Sequence, residues 1–167
     1  MIGLERANRI VDATLAEGRR LKLAPLAVVV LDQGGHLVVA KREDRAGILR
    51  IDIAHAKAWG SLGMGFGSRE LAQRAQTSAA FVSVLAAVSA GRITPSPGGV
   101  LIADHAGSVL GAIGVSGDQG EKDETVAYSV LRASGFETIR GYPSETVSGA
   151  DHFTSRHLSC PQASFST

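Results

Sequence analysis

One cysteine, few aromatic residues and no run of like charge leave this chain of 167 residues with nothing to serve several large classes of protein. Cys160 has no second cysteine to pair with, so a disulfide framework is excluded. The N-terminus, Met1 to Arg6, lacks the basic segment and apolar stretch of a secretory signal, and both observations point to the cytoplasm. No apolar run approaches the ~20 residues that a bilayer span requires, and the longest, Leu23 to Leu31, is interrupted by Pro25 and suits a buried strand. Lys and Arg number 17 against 16 Asp and Glu, a net charge of +1 without a basic patch, so neither nucleic acid nor an anionic membrane is an expected partner. The histidines His36, His55, His105, His152 and His157 fall into no His-x-x-x-His, His-Glu-x-x-His or Cys/His cluster, which argues against a structural zinc site.

What the chain does have is glycine at chosen places. The run Gly111-Ala112-Ile113-Gly114-Val115-Ser116-Gly117 follows Gly98-Gly99-Val100-Leu101-Ile102 across a tight turn. This describes a buried hairpin from which side chains are withheld so that a backbone, a helix or a ligand can come close. A phosphate loop would need a strand-to-helix glycine turn ending in Gly-Lys-Ser/Thr, and that pattern is absent. The hairpin has a counterpart: a displacement of 72 residues lays Asp32 on Asp104, Gly35 on Gly107 and Val28-Val29-Val30 on Val100-Leu101-Ile102. Both halves read apolar strand, Asp-x-x-Gly turn, apolar strand, and together predict one antiparallel sheet with strands near 26–32, 36–42, 99–104 and 108–115.

Helical periodicity fills the rest. Leu4, Ala7, Ile10, Val11 and Leu15 predict a helix over residues 4–21. Ile51, Ala54, His55, Ala58 and Leu62 mark a second, with Arg50 and Lys57 on its other side, and the glycines between Gly60 and Gly67 are expected to end it. Ser68 is read as capping a short helix through Arg74, and Thr77 another whose core side is Phe81, Val84, Leu85 and Val88. Asp118-x-x-Glu121 has the form of a capping box opening a last helix to about Ser134, with Gly135 as its stop. The fold class is therefore α/β in the α+β sense, an antiparallel sheet flanked by helices, in one domain over residues 1–141. Residues 142–167 are polar and without periodicity, and read as a tail, an oligomer arm or an artificial extension.

The residues able to carry chemistry are few. His55 lies on or beside the apolar face of the second helix, where an imidazole is either a satisfied core group, an iron ligand or an acid–base. Arg42, Asp44, Arg50 and Lys57 form a charged set that is either a solvated face or an anchor for carboxylates, with arginine as a bidentate fork and lysine as a point charge. Gly98 and Gly99 could present backbone N–H groups to an anion. Asp123 is a helix-dipole partner or an acid–base. Ser116 lacks the Gly-x-Ser-x-Gly context of a nucleophile elbow, because residue 118 is Asp118.

In order along the chain, Leu31-Asp32-Gln33-Gly34-Gly35, Arg42-Glu43-Asp44, Ala56-Lys57-Ala58, Gly98-Gly99-Val100 and the Gly111–Gly117 run with Asp123-Glu124 resemble the motifs of the GlcG/HbpS heme-binding family, which includes the C-terminal domain of PduO-type proteins. The resemblance runs from about Leu4 to Gly135. It implies a profilin-like fold, assembly into homo-oligomers, links to catabolic operons, and heme as the ligand. Arg42, Asp44, His55, Lys57, Gly98 and Gly99 would then line the site, and His55 would be the candidate axial ligand of the iron. Where many members have Met-Asp-Gly-Ala, this chain has Glu43-Asp44-Arg45-Ala46. Two other readings stand beside heme binding. In one, an enzyme acts on an enolic or unsaturated dicarboxylic acid, with His55 and Asp123 moving protons; in the other, an accessory module works through its oligomer surface.

Overall fold

The computed structural model describes residues 1–139; the reading of residues 142–167 as a tail lies outside them. The chain runs through α1 (Leu4–Arg20), β1 (Ala27–Asp32), β2 (Leu37–Arg42), α2 (Arg50–Met64), α3 (Ser68–Thr77), α4 (Ala79–Val88), β3 (Gly99–Ala103), β4 (Val109–Ser116), α5 (Gly120–Ala133) and β5 (Glu137–Ile139). The strands form one antiparallel sheet in the order β2-β1-β4-β3-β5. Both Asp-x-x-Gly turns close by the same chemistry. Asp32 Oδ1 accepts the N–H groups of Gly34 and His36, and Asp104 Oδ1 those of Ala106 and Ser108. Gly35 and Gly107 take left-handed φ values of 80° and 81°, which a side chain would disfavour.

Alternation along the strands sends side chains into two layers. Val28, Val30, Val100, Ile102, Ile113 and Val115 meet Ile10, Val11 and Leu15 of α1 and Ala127, Val130 and Leu131 of α5. On the other face Val29, Leu31, Leu101 and Ala112 meet Ala54 and Ala58 of α2. A third, separate cluster of Phe66, Leu71, Val82 and Ile93 holds α3 and α4.

α2 ends within the expected glycine stretch, continuing through Gly60 and Gly63 to stop at Gly65, whose φ of 74° makes the left-handed cap. Elsewhere the structure departs from the sequence reading in instructive places. Ser68 does not cap α3: its hydroxyl donates to Ser96 O and accepts the Gly99 N–H. Thr77 ends α3 rather than opening α4, and its hydroxyl reaches Arg74 O. Of the expected core side of α4, Phe81, Val84 and Val88 are exposed and only Val82 of the helix is buried. Asp118 precedes the cap of α5 and instead ties the Ala24 and Gln119 N–H groups, with Lys122. β5, which extends the sheet beyond β3, has no counterpart in the sequence reading.

Candidate functional site

α2 lies so close to the sheet that two strand residues must be glycine. A Cβ at Gly114 would collide with Ala54 O of α2, and one at Gly99 with Lys57 O. These two contacts fix the helix over β4 and β3 and define its flanks. Lys57 and Ser61 face β3, where the ideal Cβ of Gly99 would come within 2.7 Å of Ser61 Oγ. His55, two residues earlier and so turned by about 200° around the axis, lies on the opposite flank, toward β1 and β2.

The Lys57 flank is closed. Lys57 is 2% exposed, and its ammonium donates to Val115 O at 2.9 Å and to Asp123 Oδ2 at 3.0 Å. Asp123 is fully buried, and its Oδ1 accepts the Asp118 N–H at 3.0 Å. Burial pushes the Lys57 amine down, against the pull of Asp123, and pushes the Asp123 carboxyl up, against the pull of Lys57 and of the Asp118 and Gly117 N–H groups. α2 and α5 cover opposite faces of the sheet, so the pair joins the two layers past the end of β3. Gly98 leaves room for it: with φ at 123°, its ideal Cβ would sit 2.9 Å from Lys57 Nζ and 3.2 Å from Asp123 Cβ. The Gly99 N–H is already given to Ser68 Oγ at 2.7 Å. Lys57 is thus no solvated face, and Asp123 does more than cap: the two make a buried tie.

The His55 flank is open. α2 lies mainly over β1, β3 and β4. By register, Ala40 and Arg42 of β2 stand beside Val29 and Ala27 on this face of the sheet, and both are exposed. A shelf results. Its wall is the flank of α2 carrying Ile51, His55, Trp59 and Leu62, and its floor is the uncovered strand ending in Arg42. Trp59 reaches the β1–β2 turn, where its Nε1 would be 3.1 Å from a Cβ at Gly35. His55 is half-buried. Arg42 Nη1 donates to Ala46 O at 2.5 Å, and Asp44, in the loop that follows, is exposed. Arg42 and Asp44 also border a second cleft, on the α1 side, with Leu15, Leu23, Pro25 and Arg19. Arg50 reaches Ser116 Oγ at 3.3 Å, which occupies that buried hydroxyl.

The histidines are distinguished by their partners. His36 Nδ1 lies 3.3 Å from Asp32 Oδ1 and His105 Nδ1 3.2 Å from Glu137 Oε1, both in exposed pairs. Among the described residues His55 alone of the three is half-buried with no hydrogen-bonding partner for its ring. Sequence reasoning singled out His55 and Arg42 but grouped them with Lys57; the geometry divides them, one flank from the other.

Residues 2–132 match the model of the family described as haem degrading protein HbpS-like. The chain belongs to the HbpS-like family. A similar protein from Citrobacter freundii, an uncharacterized 15.0 kDa protein from a dhaT-dhaS intergenic region, is 29% identical over 130 residues, covering 78% of this chain and 89% of that one. Among solved structures, the PduOC:heme complex superposes with a TM-score of 0.74 at 24% identity, covering 83% of this chain and 99% of that chain. Klebsiella pneumoniae ORFY gives 0.71 at 27%, covering 80% and 90%. HbpS gives 0.67 at 23%, covering 79% and 89%. The HbpS-like fold is thus the one derived above, with its profilin-like sheet between two helical layers.

Proposed function

We propose that this HbpS-like protein is a small-molecule binder whose ligand is heme, held on the open flank of α2. The observation that carries the reading is the half-buried His55 imidazole, unpartnered among the described residues and set between apolar Ile51 and Trp59 one turn to either side. An imidazole nitrogen without a hydrogen bond is available to iron, and an apolar wall suits the porphyrin face. Arg42, exposed on the floor of the shelf, is suited to pair with a propionate. Bound heme would supply an iron centre for redox or gas-ligand chemistry. The chain's own part is to give the axial nitrogen, shield one face and neutralise the carboxylates, with Lys57 and Asp123 fixing the position of α2 from behind. The family description and the heme complex formed by a structural relative support the choice of ligand. The exposed apolar residues of α4 support self-association into a homo-oligomer. The homologue's place between two genes supports a catabolic operon. The proton-transfer enzyme has less support, because Asp123 is fully buried on the flank away from His55.

Hemin titration tests this. A Soret shift is expected for the wild type, lost or moved in His55→Ala and retained in His36→Ala and His105→Ala. An unaltered spectrum in His55→Ala would refute the assignment.

A further inference from the structure

On the outer face of α5, away from the shelf, a cavity of about 370 Å³ is lined by Arg69, Glu124, Thr125, Tyr128, Ser129 and Arg132. From this cavity we infer a second binding site, for a monoanionic, hydroxyl-bearing carboxylic acid of the sugar-acid class.

Three features of the lining define that chemistry. Glu124 is 5% exposed, and one of its oxygens, Oε2, accepts from Arg69 at 2.7 Å from Nε and 2.6 Å from Nη2. Its other oxygen, Oε1, is buried with no hydrogen-bond donor. A buried carboxylate oxygen left in this state costs free energy that a ligand hydroxyl would recover. Arg132, one helical turn beyond Tyr128 on the same side of α5, is exposed and has no ion pair among the described residues. Since Arg69 is neutralised by Glu124, the described residues of the lining carry one net positive charge, from Arg132, and so match a single carboxylate. A phosphate dianion would set its second charge against Glu124. A purely apolar acid would leave Oε1 unpaired. A hydroxylated carboxylate satisfies both ends, and Ser129, exposed on the same stripe of α5, adds a hydroxyl that both donates and accepts. The volume admits a chain about the size of gluconate.

Calorimetric titration of the full chain with gluconate, and with hexanoate as the equally long acid without hydroxyls, tests the inference. Gluconate is expected to bind and hexanoate not to. Arg132→Gln should weaken gluconate by roughly tenfold or more, the loss expected for one charge-assisted hydrogen bond. Arg132 is exposed, so this variant should fold, and its hemin spectrum should match the wild type, which separates this site from the shelf. Equal binding of the two acids, no binding of gluconate, or an unchanged affinity in Arg132→Gln would each overturn the proposal.

Discussion

Replacing Lys57 by Met isolates the most consequential interaction in the molecule. The substitution keeps a long unbranched side chain against Gly98 but removes the ammonium from a site where Asp123 is fully buried. Deleting one member of a buried ion pair costs on the order of 3–5 kcal/mol, because the remaining charge is left without compensation. Asp123 limits that cost by taking up a proton. Its carboxyl is already pushed above the usual carboxylate range by burial, and loss of the lysine pushes it further. The sign follows from proton binding. Above the ordinary value of 3.8 the folded variant holds a proton that the unfolded chain has released, so its stability falls as pH rises through the elevated folded value. Urea denaturation of Lys57→Met should therefore show the full loss near neutrality and a smaller one in mildly acidic buffer. The double variant Lys57→Met/Asp123→Leu should recover much of the loss at neutral pH. A loss below about 1 kcal/mol, or one equal at both pH values, would mean that the pair is not the buried, coupled unit described here.

Two glycine variants should separate close packing from backbone strain. Gly114→Ala drives a methyl into the α2 backbone at Ala54 O and should cost about 2 kcal/mol or more in chemical denaturation. Gly65→Ala, with open space around it but φ at 74°, should cost only about 1 kcal/mol. Asp118, which accepts the Ala24 and Gln119 N–H groups and meets Lys122, has its carboxyl lowered to about 2 from 3.8. Its stabilisation is present above 3.8 and is lost as pH falls toward about 2. Acid-induced unfolding followed by far-ultraviolet circular dichroism should accordingly have a shallower dependence across that interval in Asp118→Asn than in the wild type.

The two hairpins were legible because their signal is local: one aspartate and one glycine per turn dictate the closure, and alternating apolar residues dictate the faces. α1 was legible for the same reason, its stripe being regular. Lys57 was not, because its partner lies 66 residues away and nothing near a lysine in the chain tells a buried ammonium from a solvated one. α4 misled in the opposite sense. Its composition is apolar all round, so periodicity names a core side, but the described residues offer it only the small cluster around Val82. The glycine stretch from Gly60 to Gly67 told where α2 ends but not at which glycine: Gly60 and Gly63 stay helical because α2 is held by its packing on the sheet, against which about 1 kcal/mol per glycine is a small opposing effect. β5 has three residues, too few for alternation to register. For the site, residue types pointed to His55 and Arg42, but which flank each occupied depended on the glycine contacts that orient α2.

The tie between Lys57 and Asp123 bears on how the molecule breathes. Because it passes the end of the sheet and fastens a helix on each face, α2 cannot lift from its layer without exposing the carboxylate anchored on α5, nor α5 from its own without stranding the ammonium. The two layers should therefore open to solvent as one cooperative unit, their amide protons exchanging together at the global unfolding free energy. α4 stands outside this unit, attached chiefly through the cluster around Val82, and can detach while the sheet stays shut. The shelf at His55 belongs to the slow unit, so a ligand there would meet a wall already in place and would spend little of its binding energy on ordering the protein.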